Sequence, residues 1–229
     1  MGGGDAESYL KTEFLERIAH ELRGPAGVTL GALDELDLAL GSDSARVANL
    51  IAMARRSVQR VLRTAERLQR TAQLESGDVE WQHEPRDLRD IVRAAMGQVE
   101  GIEARKGIRV VVSHSETACM ANVDVAWVTS AVTEIVLNAI RNAKSTAQIA
   151  TSTTDAEALI TVSDDGVGFA GPINARFTPS GRRQGLGLSM SLVSDVAAAH
   201  GGKLIIDPAD TQSPGARVHL SFPRQPDPS

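Results

Sequence analysis

The sequence predicts a helical hairpin followed by an α+β two-layer sandwich, and three observations carry that expectation. An apolar periodicity of three- and four-residue steps, interrupted by one short break, fills the first third of the chain. Gly77 ends that pattern within LESGDVEW. Beyond it, short β-branched runs alternate irregularly with three helical segments, the mixture expected of helices laid on one face of a sheet. Domain boundaries of 1–77 and 78–229 follow.

The first helix is expected from about Ser8 to Leu40, with Leu15, Ala19, Leu22, Ala26, Leu33 and Leu40 along one stripe. Gly41-Ser42-Asp43 breaks it, and Ser42 or Asp43 can cap the next helix. That helix has the cleanest pattern in the chain: Val47, Ile51, Ala54, Val58, Val61, Ala65, Leu68 and Ala72 form a heptad seam. Two helices cannot bury both stripes alone, so two copies are expected to form a dimeric four-helix bundle. In the second part, DLRDIVRAAMGQV reads as a helix and IRVVVS as a strand. VDVAWVTSAVTEIVLNAIRNA reads as one helix, AQIATST and ALITVSD as a strand pair, LSMSLVSDVAAAHGG as a helix, and LIIDP and ARVHLSF as closing strands.

Composition narrows the function classes. Aromatic residues make up 3% of the chain, too few for the stacking platforms of single-strand nucleic-acid binders. The net charge of −5, with no basic block, removes the attraction that drives backbone binding to DNA, so no nucleic-acid partner is expected. No apolar run approaches the roughly 20 residues of a membrane-spanning helix. The lone Cys119 excludes an internal disulfide and suits a reducing, cytoplasmic location.

Four clusters carry candidate chemistry. The segment HELRGP places His20 and Glu21 just before two helix breakers, Gly24 and Pro25. An interior proline costs about 3 kcal/mol, so the pair marks either a tolerated kink or strain kept for function. In EIVLNAIRNA, Glu134, Asn138, Arg141 and Asn142 share one helix face. That face is either solvated or able to hold a hydrated Mg²⁺ and a phosphate chain. VSDDGVGF puts Asp164, Gly166 and Gly168 after a strand, as an acidic turn or as a place where backbone approaches a ligand closely. In GRRQGLGLSMSLV, Gly185 and Gly187 open an apolar helix whose free N–H groups favour anions, with Arg182 and Arg183 just ahead.

These clusters, in this order, resemble the sensor histidine kinases of two-component systems. FLERIAHELRGP is similar to the family's phospho-acceptor box, EIVLNAIRNA to its asparagine box, and DDGVG and GLGLS to its two glycine boxes. The resemblance runs over nearly the whole chain and implies a Bergerat-type ATP-binding domain behind the dimerisation hairpin. It implies that ATP phosphorylates His20, with Glu21 fixing the imidazole tautomer, and that the phosphoryl group passes to an aspartate of a response-regulator receiver domain. Asp164 would accept from the adenine amino group, with Gly166 and Gly168 shaping the base pocket. Asn138 would ligate Mg²⁺, Glu134 would assist the metal or water, and Arg141 would meet phosphate. Asn142, four residues on, is the alternative metal asparagine. Gly185, Leu186, Gly187 and Leu188 would present helix N–H groups to the phosphates beside Arg182 and Arg183, and Phe177 would anchor the intervening lid. A sensor domain or protein outside this chain is implied as well. One position departs from the family: Gly24 stands where many members carry Thr or Asn to position water for dephosphorylating the partner, and weak phosphatase activity is expected. Two other readings stay open: a non-catalytic phosphotransfer scaffold, and an ATPase or serine kinase that leaves HELRGP idle.

Overall fold

A computed structural model describes residues 22, 24–36, 44–77, 79–168, 188–207 and 215–226. These residues form two compact units that part after Gly77.

The first unit holds α1, helical over residues 24–36, and α2 (Ser44–Ser76). The helices run antiparallel: Ser57 Oγ of α2 donates to the Pro25 carbonyl of α1, while Arg46 and Glu35 pair at 3.5 Å towards the connection. Pro25 is buried and sits within the helical run. Its carbonyl also accepts from Thr29 Oγ1 at 3.0 Å, so this breaker position is tied by two hydroxyls. The ion pair is largely exposed and adds little stability.

The heptad seam of α2 is only partly covered within one chain. Within one chain the buried positions among the described residues of α2 are Leu50, Ser57, Thr64 and Arg67, the first three lying one residue before Ile51, Val58 and Ala65 of the seam. Ile51, Val58 and Leu62 stay 40%, 44% and 55% exposed, as do Val28, Leu30 and Leu33 of α1 at 47%, 62% and 48%. A single stripe cannot serve both the helix partner in the hairpin and a second copy. The mixed polar-apolar row turns inward, and much of the apolar row remains uncovered.

The second unit runs β1 (Glu84–Asp87), α3 (Leu88–Val99), α4 (Ile102–Lys106), β2 (Arg109–Ser113), β3 (Met120–Val123), α5 (Val125–Asn142), β4 (Thr146–Thr153), β5 (Glu157–Asp164), α6 (Leu188–Ala199), β6 (Lys203–Ile206) and β7 (Arg217–Pro223). Five strands form a mixed sheet in the order β2-β4-β5-β7-β6; β2 lies parallel to β4 and the other pairs are antiparallel. Along β5, half-buried and buried residues alternate, the pattern of a sheet covered on one face. Val128, Val132, Ile135 and Ile140 of α5 pack the core with Ile149, Ile160, Leu220 and Phe222, each contributing about 1.5–3 kcal/mol by leaving water.

Three short elements lie beyond the sequence expectation: α4, and β1 with β3, which pair antiparallel as a separate two-stranded sheet. Glu-Pro-Arg-Asp has no alternating apolar pattern, so β1 exists through its partner rather than through propensity. Two aspartates start the main helices. Asp87 Oδ1 accepts the Arg89 N–H at 3.0 Å above α3, and Asp124 Oδ1 accepts the N–H groups of Ala126 and Trp127 at 3.1 and 3.2 Å above α5. Asp124 also accepts the Gln82 N–H at 3.0 Å, which draws the segment before β1 onto the same cap. Trp81 there packs on Trp127 and edge-on to His200, with ring centroids 5.3 and 5.0 Å apart.

Candidate active site

The C-terminal half of α5 and the turn after β5 meet at one corner of the second unit. Helix α5 is apolar and buried along most of its length, so its polar residues stand out. Glu134 is 8% exposed, Asn138 and Asn142 are half-buried, and Arg141 is exposed. The solvated-face reading of this helix therefore fails at Glu134, because a carboxylate is rarely taken out of water without a function or a partner. Asn142 Nδ2 donates to the Asn138 carbonyl at 2.9 Å and to Asn138 Oδ1 at 3.1 Å. The two candidate metal asparagines are thus one unit, with Asn142 orienting the Asn138 amide.

Asp164 ends β5 in a buried position. Its Oδ1 accepts the Gly166 N–H at 2.8 Å. Burial pushes the Asp164 carboxyl above the usual carboxylate range; the N–H groups of Gly166 and Ala216 pull it down, and the neighbouring Asp165 charge pushes it up. Gly166 is required by space. A Cβ there would stand 2.3 Å from the Asn142 carbonyl oxygen and 2.6 Å from Asp164 Oδ1. Gly168 has φ +73°, in the left-handed region that glycine adopts at no steric cost. Two small residues thus let the turn fold against the end of the asparagine helix.

Asp165, beside Asp164, has a separate task. Its Oδ1 accepts the N–H groups of Lys144, Ser145 and Thr146 at 2.8, 3.0 and 3.1 Å, and its Oδ2 receives the Ser145 hydroxyl. These bonds hold its carboxyl well below the usual carboxylate range, with the Ser145 contacts the largest cause.

The structure brings together Asn138, Asn142, Asp164 and Gly166, and it sets Glu134 inside and Arg141 outside on the same helix. His20, Glu21, Phe177, Arg182, Arg183, Gly185, Leu186 and Gly187 lie outside the described residues, as does the side chain of Leu188, where α6 begins. Asp165 and the cap Asp124 were not expected from the sequence as contributors. The signals were present, as the second acid of DDG and an acid directly before a helix.

Mg²⁺ can be tested against these donors. Among the described residues no group of three or more His, Cys, Asp or Glu side chains could hold a metal. Asn138 Oδ1 keeps a second lone pair beside its bond from Asn142, and the Glu134 carboxylate lies one turn earlier. One or two protein oxygens completed by phosphates and water is the usual set for Mg²⁺, so these residues fit.

Residues 123–226 match the family described as histidine kinase-, DNA gyrase B-, and HSP90-like ATPase, which spans every element of this corner. Over 230 residues the chain is 27% identical to a sensor-like histidine kinase of Rhizobium meliloti (strain 1021), covering 93% of this chain and 43% of that protein. It spans well under half the length of the curated relatives it matches, 43% and 22%. Among solved structures, the Acinetobacter baumannii histidine kinase AdeS superposes with a TM-score of 0.65 at 19% identity, covering 90% of this chain and 98% of that one. Full-length ShkA in complex with AMPPNP gives 0.64 at 18% identity, covering 93% of this chain and 47% of that one. No helix among the described residues is long and apolar enough to cross a membrane. The corner built by α5 and the turn after β5 therefore lies in a stretch that matches the histidine kinase-, DNA gyrase B-, and HSP90-like ATPase family, and the chain is similar in sequence to a sensor-like histidine kinase and in fold to solved histidine kinase structures.

Proposed function

We propose that this chain binds ATP in its C-terminal part, 78–229, and transfers the γ-phosphoryl group to His20 on its N-terminal hairpin, 1–77. A receiver-domain aspartate of a response regulator then takes it. The observation that carries the reading is the contact at Gly166, which sets the buried Asp164 carboxylate beside the end of the asparagine helix. A base-recognising acceptor and a phosphate-facing helix end are then neighbours.

In this reading Asp164 Oδ1 is held by the Gly166 N–H, and its other oxygen accepts from the adenine amino group. Asn142 orients Asn138, and Glu134 lies behind it on α5. Asn138, with the phosphates, would hold Mg²⁺, which would neutralise charge on the phosphate oxygens. Arg141 adds charge at the helix end; Arg182 and Arg183, with the N–H groups of Gly185, Leu186, Gly187 and Leu188, add more. Phe177 anchors the segment between the glycine boxes.

At His20, the lone pair of a neutral ring nitrogen attacks the γ-phosphorus in line. The N–P bond forms as the P–O bond to ADP breaks, and Glu21 takes the proton from the other nitrogen. Only the neutral ring has that lone pair, so autophosphorylation falls below about pH 6.5. The uncovered residues Val28, Leu33, Ile51, Val58 and Leu62 form the face on which a second copy docks, giving a cytoplasmic homodimer served by a sensor beyond this chain.

The direct test is His20→Gln. The variant loses all self-labelling from γ-labelled ATP and keeps its affinity for ADP, while the wild-type phosphoprotein is acid-labile. Label persisting in the variant overturns the assignment.

A further inference from the structure

We propose that Asp165 is a positioning residue for nucleotide binding: its carboxylate fastens the turn between α5 and β4 to the end of β5, and so sets the asparagine pair against Asp164. The inference rests on the proposed ATP reading of this corner. It extends that reading to a side chain that touches neither base nor phosphate in it.

The geometry is specific. Asp165 follows β5 directly, and its own N–H donates to the Thr146 carbonyl at 3.2 Å. Its carboxylate accepts three consecutive backbone N–H groups and one hydroxyl from Lys144, Ser145 and Thr146. Those residues immediately follow Ala143, where α5 is capped by the Ala143 N–H to Ala139 carbonyl bond at 2.8 Å. Three N–H groups converging on one carboxylate leave the turn little freedom to slide, because each bond constrains a different peptide plane.

What the staple holds lies within a few residues on both segments. Upstream of Asp165, Asp164 presents the buried carboxylate; downstream, Gly166 lies against the Asn142 carbonyl with no room for a methyl group. Upstream of the turn, Asn142 bonds Asn138. Loosening Lys144–Thr146 therefore moves Asn142 relative to Gly166, and with it the distance between the base-recognising and phosphate-facing groups. Sub-ångström placement of such groups governs affinity strongly.

ADP titration of the whole chain provides the test, with thermal unfolding of each variant measured in parallel. Asp165→Ala is expected to weaken ADP binding at least tenfold. Asp165→Asn, which keeps one oxygen for the backbone N–H groups, is expected to restore affinity to within about threefold of wild type. Arg89→Ala removes the partner of Asp87 at the start of α3, and is expected to lower the unfolding temperature with ADP affinity unchanged. The Lys144, Ser145 and Thr146 amide resonances of Asp165→Ala should be displaced from their wild-type positions even without nucleotide. Wild-type ADP affinity in Asp165→Ala overturns the proposal, as does a loss in Arg89→Ala equal to that in Asp165→Ala, which would reduce Asp165 to general stability. A wild-type chain that binds no ADP overturns the underlying ATP reading instead.

Discussion

The backbone N–H of Asp124 donates to Nε2 of His200 at 2.9 Å, joining the cap of α5 to the residue after α6. His200 Nδ1 in turn donates to the Val196 carbonyl at 2.6 Å, so one ring nitrogen accepts and the other carries the proton. That arrangement requires a neutral imidazole.

A pH dependence of stability follows. Burial pulls the His200 pKa below its ordinary value, aided by nearby His83, against the opposing pull of the Val196 carbonyl. The unfolded chain therefore takes up a proton near pH 6.5 that the folded chain refuses. This contribution is complete above about pH 6.5 and is lost progressively as pH falls towards the depressed folded value. Denaturant midpoints measured at pH 7.5 and 5.5 should fall at the lower pH, and the fall should shrink in His200→Phe. That variant also leaves the Asp124 N–H without its acceptor and should cost about 1–3 kcal/mol at pH 7.5.

Gly166→Ala tests the close approach that builds the site. Its methyl group meets the Asn142 carbonyl at 2.3 Å, so backbone must shift, at a cost of about 1–3 kcal/mol. ADP affinity should drop more than tenfold, and unfolding should show the stability loss. Unchanged affinity would mean that the corner does not hold nucleotide.

The uncovered row of the hairpin gives a third expectation. Ile51 and Val58 lie two turns apart on α2 and are 40% and 44% exposed within one chain. Replacing both by Glu should convert a dimer to a monomer in light scattering at micromolar concentration. The fold of the second unit should be retained by far-ultraviolet circular dichroism.

Gly24 offers the fourth. It is helical and exposed, and a Cβ there meets nothing within 4 Å, so Gly24→Thr is accommodated in the single chain. The threonine should speed dephosphorylation of a phosphorylated receiver domain several-fold over wild type, measured as release of inorganic phosphate. Equal rates would refute a role for the missing side chain.

Much of this molecule was legible without coordinates. The 3.6-residue periodicity of α2, α3 and α5 and the alternation of β5 are local and repeat over several turns or residues, and in α3, α5 and β5 they mark burial directly. The candidate residues Asn138, Asp164 and Gly166 were legible because polar groups and glycines interrupt those patterns where apolar side chains would pack better. Tertiary structure alone decided which row of α2 faces α1, since adjacent heptad rows are both compatible with a helix and only the partner's surface selects one. It alone revealed β1 and β3, whose stability comes from pairing across more than 30 residues of chain rather than from their own composition. It alone separated the two acids of DDG, placing Asp164 in a buried site and Asp165 on a neighbouring backbone turn. Identical side chains one residue apart point to opposite sides of a strand end, and what they meet there depends on residues about 20 positions away.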